Sequence, residues 1–284
     1  MKKCIYSLLL LALPLWAQET AAPDTSKPAP YWKHSLVGSL LGSQVTYSDW
    51  VQGGENTIAW NALLDGKSVY EKGKNNWSNT YKFAFGRTRL GDKGFRKTDD
   101  RIDLESVFTY KVNVYVNPYA AATFKSQFAP GLIYDEHGVS TKVSRFLDPA
   151  YLTQSAGVGY QLLPQAKIRV GAALREILTD QYTRFADDPK TGELEKRVVE
   201  GGMESVLNVD WKWSQNLLFT SVAEWFGAFK DMKRTALRTN NTLAATVSKL
   251  VTVNFNIQTI NEPRVSLRPQ IKQTFGIGLN YSLF

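Results

Sequence analysis

The sequence has few of the residues that form covalent cross-links and soft metal sites. Of its 284 residues, one is cysteine (Cys4) and two are histidines (His34 and His137). Cys4 precedes the apolar stretch of a predicted signal peptide, so the mature chain would contain no cysteine, which excludes disulfides and thiolate metal ligands. The sequence predicts neither a metal site nor a bound cofactor.

Long apolar runs are also missing after residue 17. No stretch approaches the roughly 18 residues that a transmembrane helix needs, yet hydrophobic residues make up 43% of the chain and aromatic residues 12%. Such a chain is not disordered. If it crosses a membrane it must do so as strands of a closed barrel, because only helices and barrels satisfy their backbone groups in lipid.

The N-terminus has the pattern of a secretory signal peptide. Lys2 and Lys3 precede a short apolar segment, and residues 15–17 offer a cleavage site before Gln18. We therefore predict a signal peptide over 1–17, a disordered Pro/Ala-rich spacer over 18–30, and an outer-membrane β-barrel over 31–284. A secreted chain that crosses a membrane as strands is expected in the outer membrane of a Gram-negative bacterium.

From Tyr31 onward, apolar and polar residues alternate with the period of two that is typical of half-buried strands. The C-terminus is the clearest case, with Phe275, Ile277 and Leu279 on one face and Thr274, Gly276 and Gly278 on the other. Similar segments number about twelve, which predicts an all-β fold, a single twelve-stranded antiparallel barrel. They lie near 33–46, 56–69, 76–90, 100–111, 113–127, 151–162, 166–179, 202–213, 216–229, 241–249, 251–261 and 270–284.

The connections between these segments alternate in length. Short ones at 71–75, 111–113, 163–165, 214–216 and 249–251 are expected to be periplasmic turns. Long ones at 47–55, 91–99, 128–150, 180–201, 230–240 and 262–269 are expected outside the cell. This parity is typical of outer-membrane barrels.

The inward register of the strands carries more bases than acids. The predicted bases are Lys82, Arg101, Lys111, Lys125, Lys167, Arg169, Arg175, Lys212, Lys230 and Lys272, and the acids are Asp103, Glu105, Glu204, Asp210 and Glu224. One interpretation is a narrow pore or ligand-binding barrel whose basic lumen favours anionic solutes. A second is a narrow barrel closed by ion pairs across its lumen. In a third, phosphate groups of lipopolysaccharide neutralise the bases nearest the outer rim.

Two apolar loop segments are candidates for a cap or plug at the barrel mouth. They contain Trp50, Gly53 and Gly54 in one loop, and Phe146, Leu147, Asp148, Pro149 and Tyr151 in the other. We expect Trp77, Trp211 and Trp213, near strand ends, to anchor at the membrane interface.

Neither histidine lies in a pattern that predicts catalysis. His137 and Ser140 are close in an outer loop, but no acid or amide is positioned beside them, and a nucleophile needs both a base and an orienting group. The carboxylates Asp99, Asp100 and Asp103 lack the spacing of a calcium loop, and Lys97 and Arg101 favour local ion pairs instead. The sequence predicts no enzyme.

Four strings resemble, in the same order, a family of bacterial outer-membrane proteins of unknown function, DUF3078. They are WVQGGEN at 50–56, KTDDRIDL at 97–104, FKSQF at 124–128 and FLDPAYL at 146–152. The resemblance implies a barrel in the outer membrane and implies no activity, because the family has no assigned chemistry.

We therefore predict a non-catalytic outer-membrane barrel, possible partners being the surrounding lipids and lipopolysaccharide. The C-terminal strand ending in Phe284 resembles the signal read by the outer-membrane insertion machinery. Secretion, and the lack of a nucleic-acid-binding module, argue against a nucleic-acid partner despite a formal net charge of +8. Two alternatives stay open: a structural or assembly partner that binds another envelope component through its loops, and a barrel hydrolase.

Overall fold

The structure, a computed structural model, describes residues 30–47, 55–187 and 191–283, with Lys233 and Arg234 described by their backbone alone. The predicted signal peptide, nearly all of the spacer, and the predicted cap residues Trp50, Gly53 and Gly54 lie outside the described residues, as does Phe284. Within the described part of the chain, no helix is long and apolar enough to cross a bilayer.

The described chain is built of fourteen strands and a 3-10 turn at Thr183–Phe185. The strands are β1 Trp32–Val45, β2 Thr57–Lys72, β3 Asn75–Leu90, β4 Arg96–Tyr110, β5 Val116–Ser126, β6 Gly131–Tyr134, β7 Ser140–Ser144, β8 Ala150–Leu163, β9 Ala166–Leu178, β10 Arg197–Lys212, β11 Leu217–Ala228, β12 Asp231–Thr246, β13 Val251–Asn261 and β14 Gln270–Ser282.

Twelve of these strands close into one antiparallel barrel, which confirms the predicted fold class. The hairpin β6–β7 stands apart from it, in the connection between β5 and β8. Strand β1 pairs with β2 along its whole length. It closes the barrel against β14 over a shorter register, from Val37 opposite Ser282 to Leu41 opposite Gly278.

The alternation in the sequence separates an apolar outer wall from a polar lumen. On β14, Phe275 and Ile277 are 69% and 55% exposed, whereas Gly278 between the odd-numbered residues is buried. Exposed apolar side chains in such number would be unfavourable in water but suit a wall that faces lipid.

An aromatic rim surrounds the short-turn end of the barrel. The rings of Trp32, Tyr70 and Trp77 contact one another across β1–β3, with centroids 5.3 and 5.9 Å from Trp32, and Trp211 lies 5.4 Å from Trp213 on the other side of the barrel. Trp77, Trp211 and Trp213 are each about half exposed, as interface anchors would be.

The predicted parity of connections fails at one place. Strands β11 and β12 are joined by residues 229–230 alone, so the predicted loop 230–240 is wrong. Strands β4 and β10 also begin earlier than predicted, at Arg96 and Arg197. In all three cases the strand extends beyond the apolar band, where both faces are polar and alternation no longer marks it.

Strands β8 and β9 approach closely because glycines face each other there. Gly157 lies opposite Gly171, and the ring of the buried Tyr119 from β5 covers them. A Cβ atom on Gly171 would lie 2.3 Å from the Ala156 carbonyl oxygen and 2.7 Å from Tyr119 Oη. Only glycine fits at this position.

Candidate functional site

The polar lumen is the candidate site, and its wall carries charges that alternate in sign from strand to strand. Asp65 on β2 pairs in register with Lys82 on β3, Lys82 with Asp103 on β4, and Asp103 with Lys125 on β5. Opposite charges on neighbouring strands attract, so this row stabilises the strand order as well as lining the lumen.

Some of these charges reach across the lumen. Lys125 Nζ lies 3.3 Å from Asp103 on the adjacent strand and 2.6 Å from Glu224 Oε1 on β11, a strand that is not its neighbour. The three side chains are about three-quarters buried. The ion pair between Lys125 and Glu224 divides the lumen into two sides.

On one side, further ion pairs fill the space at the short-turn half. Arg169 on β9 contacts Glu105 on β4 at 2.5 Å and Glu204 on β10 at 3.4 Å. The Ser155 hydroxyl donates to Glu204 at 3.1 Å, and the guanidinium lies 5.8 Å from the Tyr119 ring centroid.

A second cluster lies nearer the mouth and extends from β9 and β10 across to β12 and the end of β13. Arg175 contacts Glu200 at 2.8 Å and Glu262 at 3.0 Å, while Arg264 also pairs with Glu200. Arg238 lies 3.7 Å from Glu262 and stacks on the Tyr151 ring at 4.4 Å. The cavity left between the two clusters measures only about 50 Å³.

The other side of the lumen is open. A cavity of about 620 Å³ runs from Ser35 and Leu218, near the short turns, to Asn61 and Asp99, near the mouth. Its wall from β11 to β14 is mainly uncharged, with Thr220, Asn240, Thr242, Asn254, Asn256 and Thr274. Twelve strands enclose more space than the eight that side chains can fill, which explains why one side stays open.

Two further cavities continue this space outward. One of about 250 Å³ shares Asp99, Arg101 and Gln258 with the first, and one of about 440 Å³ at the mouth shares Asp99, Gln258 and Lys272 with the second. We call the three together the open channel side. Lys272 Nζ on β14 crosses it to reach Asp99 Oδ1 on β4 at 2.6 Å, so an ion pair narrows it near the mouth.

Several buried polar atoms on residues that line the open channel side have no hydrogen-bond partner among the described residues. They are Arg101 Nε, Asn61 Oδ1 and Asn280 Oδ1, all on residues that line the large cavity. Lys82 and Arg101 also form no ion pair within 4 Å in the described chain. Buried polar groups of this kind need solvent or a polar solute beside them.

The structure brings most of the predicted lumen residues together. Lys82, Arg101, Asp103, Glu105, Lys125, Arg169, Arg175, Glu204, Asp210 and Glu224 line the cavities or join the ion-pair clusters. Lys167 and Lys212 share their register but lie exposed at the short-turn end, away from these cavities. Lys111 lies in a turn and pairs with Glu71 at the rim, and Lys230 lies in the β11–β12 turn.

The predicted excess of bases, ten against five, is wrong. Asp65, Asp99, Glu200 and Glu262 also face the lumen or its mouth, as do three further bases, Lys67, Arg238 and Arg264. All but Asp65 and Lys67 lie in segments predicted to be loops, and these two follow a pair of leucines that breaks the alternation of β2. Acids and bases on the described wall therefore nearly balance.

The predicted cap has a different role where it is described. Phe146 and Leu147 are 52% and 45% exposed, so neither side chain packs inside the lumen. Leu147 adopts a positive φ of 59°, and its N–H donates to Ser126 Oγ. Pro149 and Tyr151 do line the lumen.

Asp148, from the same segment, connects the two longest loops. It is 1% exposed, and its Oδ2 accepts hydrogen bonds from the N–H groups of Gln181 and Tyr182 at 2.8 and 3.3 Å. Nearby, Arg145 pairs with Asp180. A hydrogen bond from Lys196, together with its charge, holds the pKa of Asp180 below its ordinary value.

The carboxylates considered for calcium are engaged elsewhere. Asp99 pairs with Lys272, Asp103 with Lys125, and Asp100 accepts hydrogen bonds from Lys97 and from the N–H groups of Phe128 and Ala129. In the part of the chain that the structure describes, no group of three His, Cys, Asp or Glu side chains is suited to hold a metal ion.

The histidines lie at opposite ends of the molecule. The His137 N–H donates to Asp135 at the tip of the β6–β7 hairpin. His34 lies on the outer wall at the short-turn rim, where its Nδ1 is 2.9 Å from Ser68 Oγ. Asn79 on β3 is the register partner of Ser68. His34 and Ser68 are 34 residues apart in the sequence, so no local sequence pattern predicted that they would be in contact.

Solved structures similar to this chain include outer-membrane barrels. The translocator domain of autotransporter NalP from Neisseria meningitidis is 11% identical, with a TM-score of 0.40 and 89% of each chain covered. The COG4313 outer membrane channel from Pseudomonas putida F1 is 13% identical, with a TM-score of 0.39, covering 92% of this chain and 98% of that one.

The Ralstonia pickettii toluene transporter TbuX is 10% identical, with a TM-score of 0.32 and 90% of each chain covered. No curated protein matches the sequence. Residues 43–132, which include three of the four strings noted above, match the model of a family described as a protein of unknown function, DUF3078, and this match confirms the resemblance.

Proposed function

We propose that this chain is an outer-membrane barrel that passes small polar solutes along the open channel side of its lumen. The observation that carries the proposal is the series of three cavities, of about 620, 250 and 440 Å³, that share lining residues from the short-turn end to the mouth. The apolar outer wall and the aromatic rim support the membrane location.

The chemistry of the wall favours uncharged or zwitterionic solutes. Amides and hydroxyls line one face of the open channel side, and the charges opposite them nearly balance. Asn256 Nδ2 donates to Asn240 Oδ1 at 2.6 Å and to Thr242 Oγ1 at 2.8 Å, so the amide wall is held rigid. A lumen in which acids and bases balance is not expected to concentrate either anions or cations.

Single-channel recording in planar bilayers tests the proposal. We expect a small conductance with a reversal potential near zero in a salt gradient. Thr274→Trp, which places a large side chain in the cavity, should block it, whereas Phe275→Trp on the lipid face of the same strand should not. A wild-type protein without conductance would contradict the proposal and favour a structural role.

A hydrolase that acts on lipid esters is a second candidate, favoured by the His34–Ser68 pair. The imidazole can accept the serine proton, and the pair lies at the aromatic rim, where ester groups of phospholipids lie. His34 stacks on Trp32 with ring centroids 5.8 Å apart, and no acid partner of His34 is found in the described ranges.

Labelling with a fluorophosphonate tests this candidate. Wild-type protein should react at Ser68, and both Ser68→Ala and His34→Ala should abolish labelling. His137→Ala and Ser39→Ala are the matched controls. Absence of labelling in the wild type would exclude the hydrolase.

A further inference from the structure

The outer wall carries two cations near the long-loop end of β3. Arg87 and Arg89 alternate with the less exposed Thr88, and both are exposed. Because side chains two residues apart share a face, both side chains point away from the lumen, and their Cα atoms lie about 7 Å apart along the strand. On the same face, β3 continues toward the membrane centre with Phe85 and Phe83.

Both arginines contact aromatic rings and, among the described residues, no acid. The guanidinium carbon of Arg87 lies 5.8 Å from the Phe85 ring centroid, and that of Arg89 lies 5.5 Å from the Phe95 ring centroid. Phe85 in turn packs 5.9 Å from Trp60. Neither arginine forms an ion pair within 4 Å with any described residue, and Glu55 lies against Gly91 instead.

Another arginine on the outer wall has an acidic partner. Near the mouth, the outward-facing Arg197 is neutralised by Glu176 at 2.6 Å. No described acid pairs with Arg87 or Arg89, which lie at the upper edge of the lipid-facing band, where aromatic side chains mark the interface. Guanidinium groups bind phosphate through paired hydrogen bonds, and stacking on a ring leaves their edges free to donate.

We propose that Arg87 and Arg89, with Trp60, Phe85 and Phe95 beside them, bind the phosphate groups of a phosphorylated glycolipid in the outer leaflet. The aromatic side chains would contact the acyl chains, and the guanidinium groups would hold the head group. The site depends on the proposed membrane location but not on solute passage, because conductance in phosphatidylcholine bilayers does not need this lipid.

Lipid retention measured by native mass spectrometry tests the site. The purified barrel in detergent is titrated with lipid A and, separately, with dephosphorylated lipid A. We expect the wild type to retain the phosphorylated form preferentially. The double variant Arg87→Gln/Arg89→Gln should weaken retention about tenfold or more, because charge-assisted hydrogen bonds are lost.

The matched control is Lys72→Gln/Lys74→Gln at the opposite rim, where each lysine also stacks on a tyrosine. It should bind lipid A as the wild type does. Equal retention by the arginine double variant would overturn the proposal, and so would equal retention of the dephosphorylated lipid. Complete displacement by millimolar inorganic phosphate would also overturn it, by showing a site for free phosphate. Unchanged heat-modifiable migration on gels verifies that the variants fold.

Discussion

At the scale of single residues, the lumen arginines stabilise the barrel both through ion pairs and through contacts with aromatic rings. Arg169, Arg175 and Arg238 each contact carboxylates from other strands or loops and also lie on an aromatic ring. A lysine in their place would lose both the planar stacking and the paired donors.

Removing Arg175 should therefore destabilise the barrel strongly. Arg175→Ala leaves Glu262, which is 2% exposed, and Glu200 with fewer partners, and breaking such a buried pair costs about 3 kcal/mol. The free energy of unfolding in urea, measured in micelles, reports the loss. Lys196→Ala removes an exposed ion pair with Asp180 and should leave that free energy unchanged. Equal losses in the two variants would refute the interpretation.

The sequence alone predicted some of the charged residues that line the lumen but not all of them. Lys82, Asp103, Lys125 and Arg169 were predicted because they alternate with apolar neighbours inside the apolar band of the wall. Glu200, Arg238 and Asp99 lie where strands rise above the apolar band, and there a polar sequence is compatible with strand or loop. Pairs such as His34–Ser68 depend on register between strands, which a single sequence does not contain.

At the scale of elements, glycines determine how closely strands pack. Gly171→Ala would place a methyl group against the Ala156 carbonyl oxygen, so we expect a loss of about 1–3 kcal/mol in the same urea experiment. At Gly159 the nearest atom to an added Cβ is 3.7 Å away, an ordinary contact. Gly159→Ala should change stability by less than about 0.5 kcal/mol. The reverse order would contradict this account of the β8–β9 pairing.

The long loops form a second kind of element, held together by Asp148. Asp148→Ala removes the acceptor for two N–H groups of the neighbouring loop, so residues 127–149 and 179–196 should be cut faster by protease in proteoliposomes while the strands stay intact. Asp135→Ala, which affects only the β6–β7 turn, is the control. Equal cleavage rates would show that Asp148 is not the connection.

At the scale of the whole molecule, the lumen has a packed side and an open side. Lys272→Ala removes the ion pair that crosses the open channel side, so single-channel conductance should rise and selectivity should shift toward cations. Lys33→Ala, at the exposed rim, is the control. A conductance that falls or stays constant would place the narrowest point elsewhere.

The short register between β1 and β14 also affects where the barrel wall can open sideways. This seam joins the first and last barrel strands, and Leu41 packs there over Gly276 and Gly278. Fewer backbone hydrogen bonds hold it than hold β1 to β2, so a sideways opening toward the lipid should begin there, exposing two unpaired edges. Gly38 and Tyr281 are register partners across this seam. A disulfide between Gly38→Cys and Tyr281→Cys would hold the two strands together and should slow any movement of solutes between the lumen and the membrane.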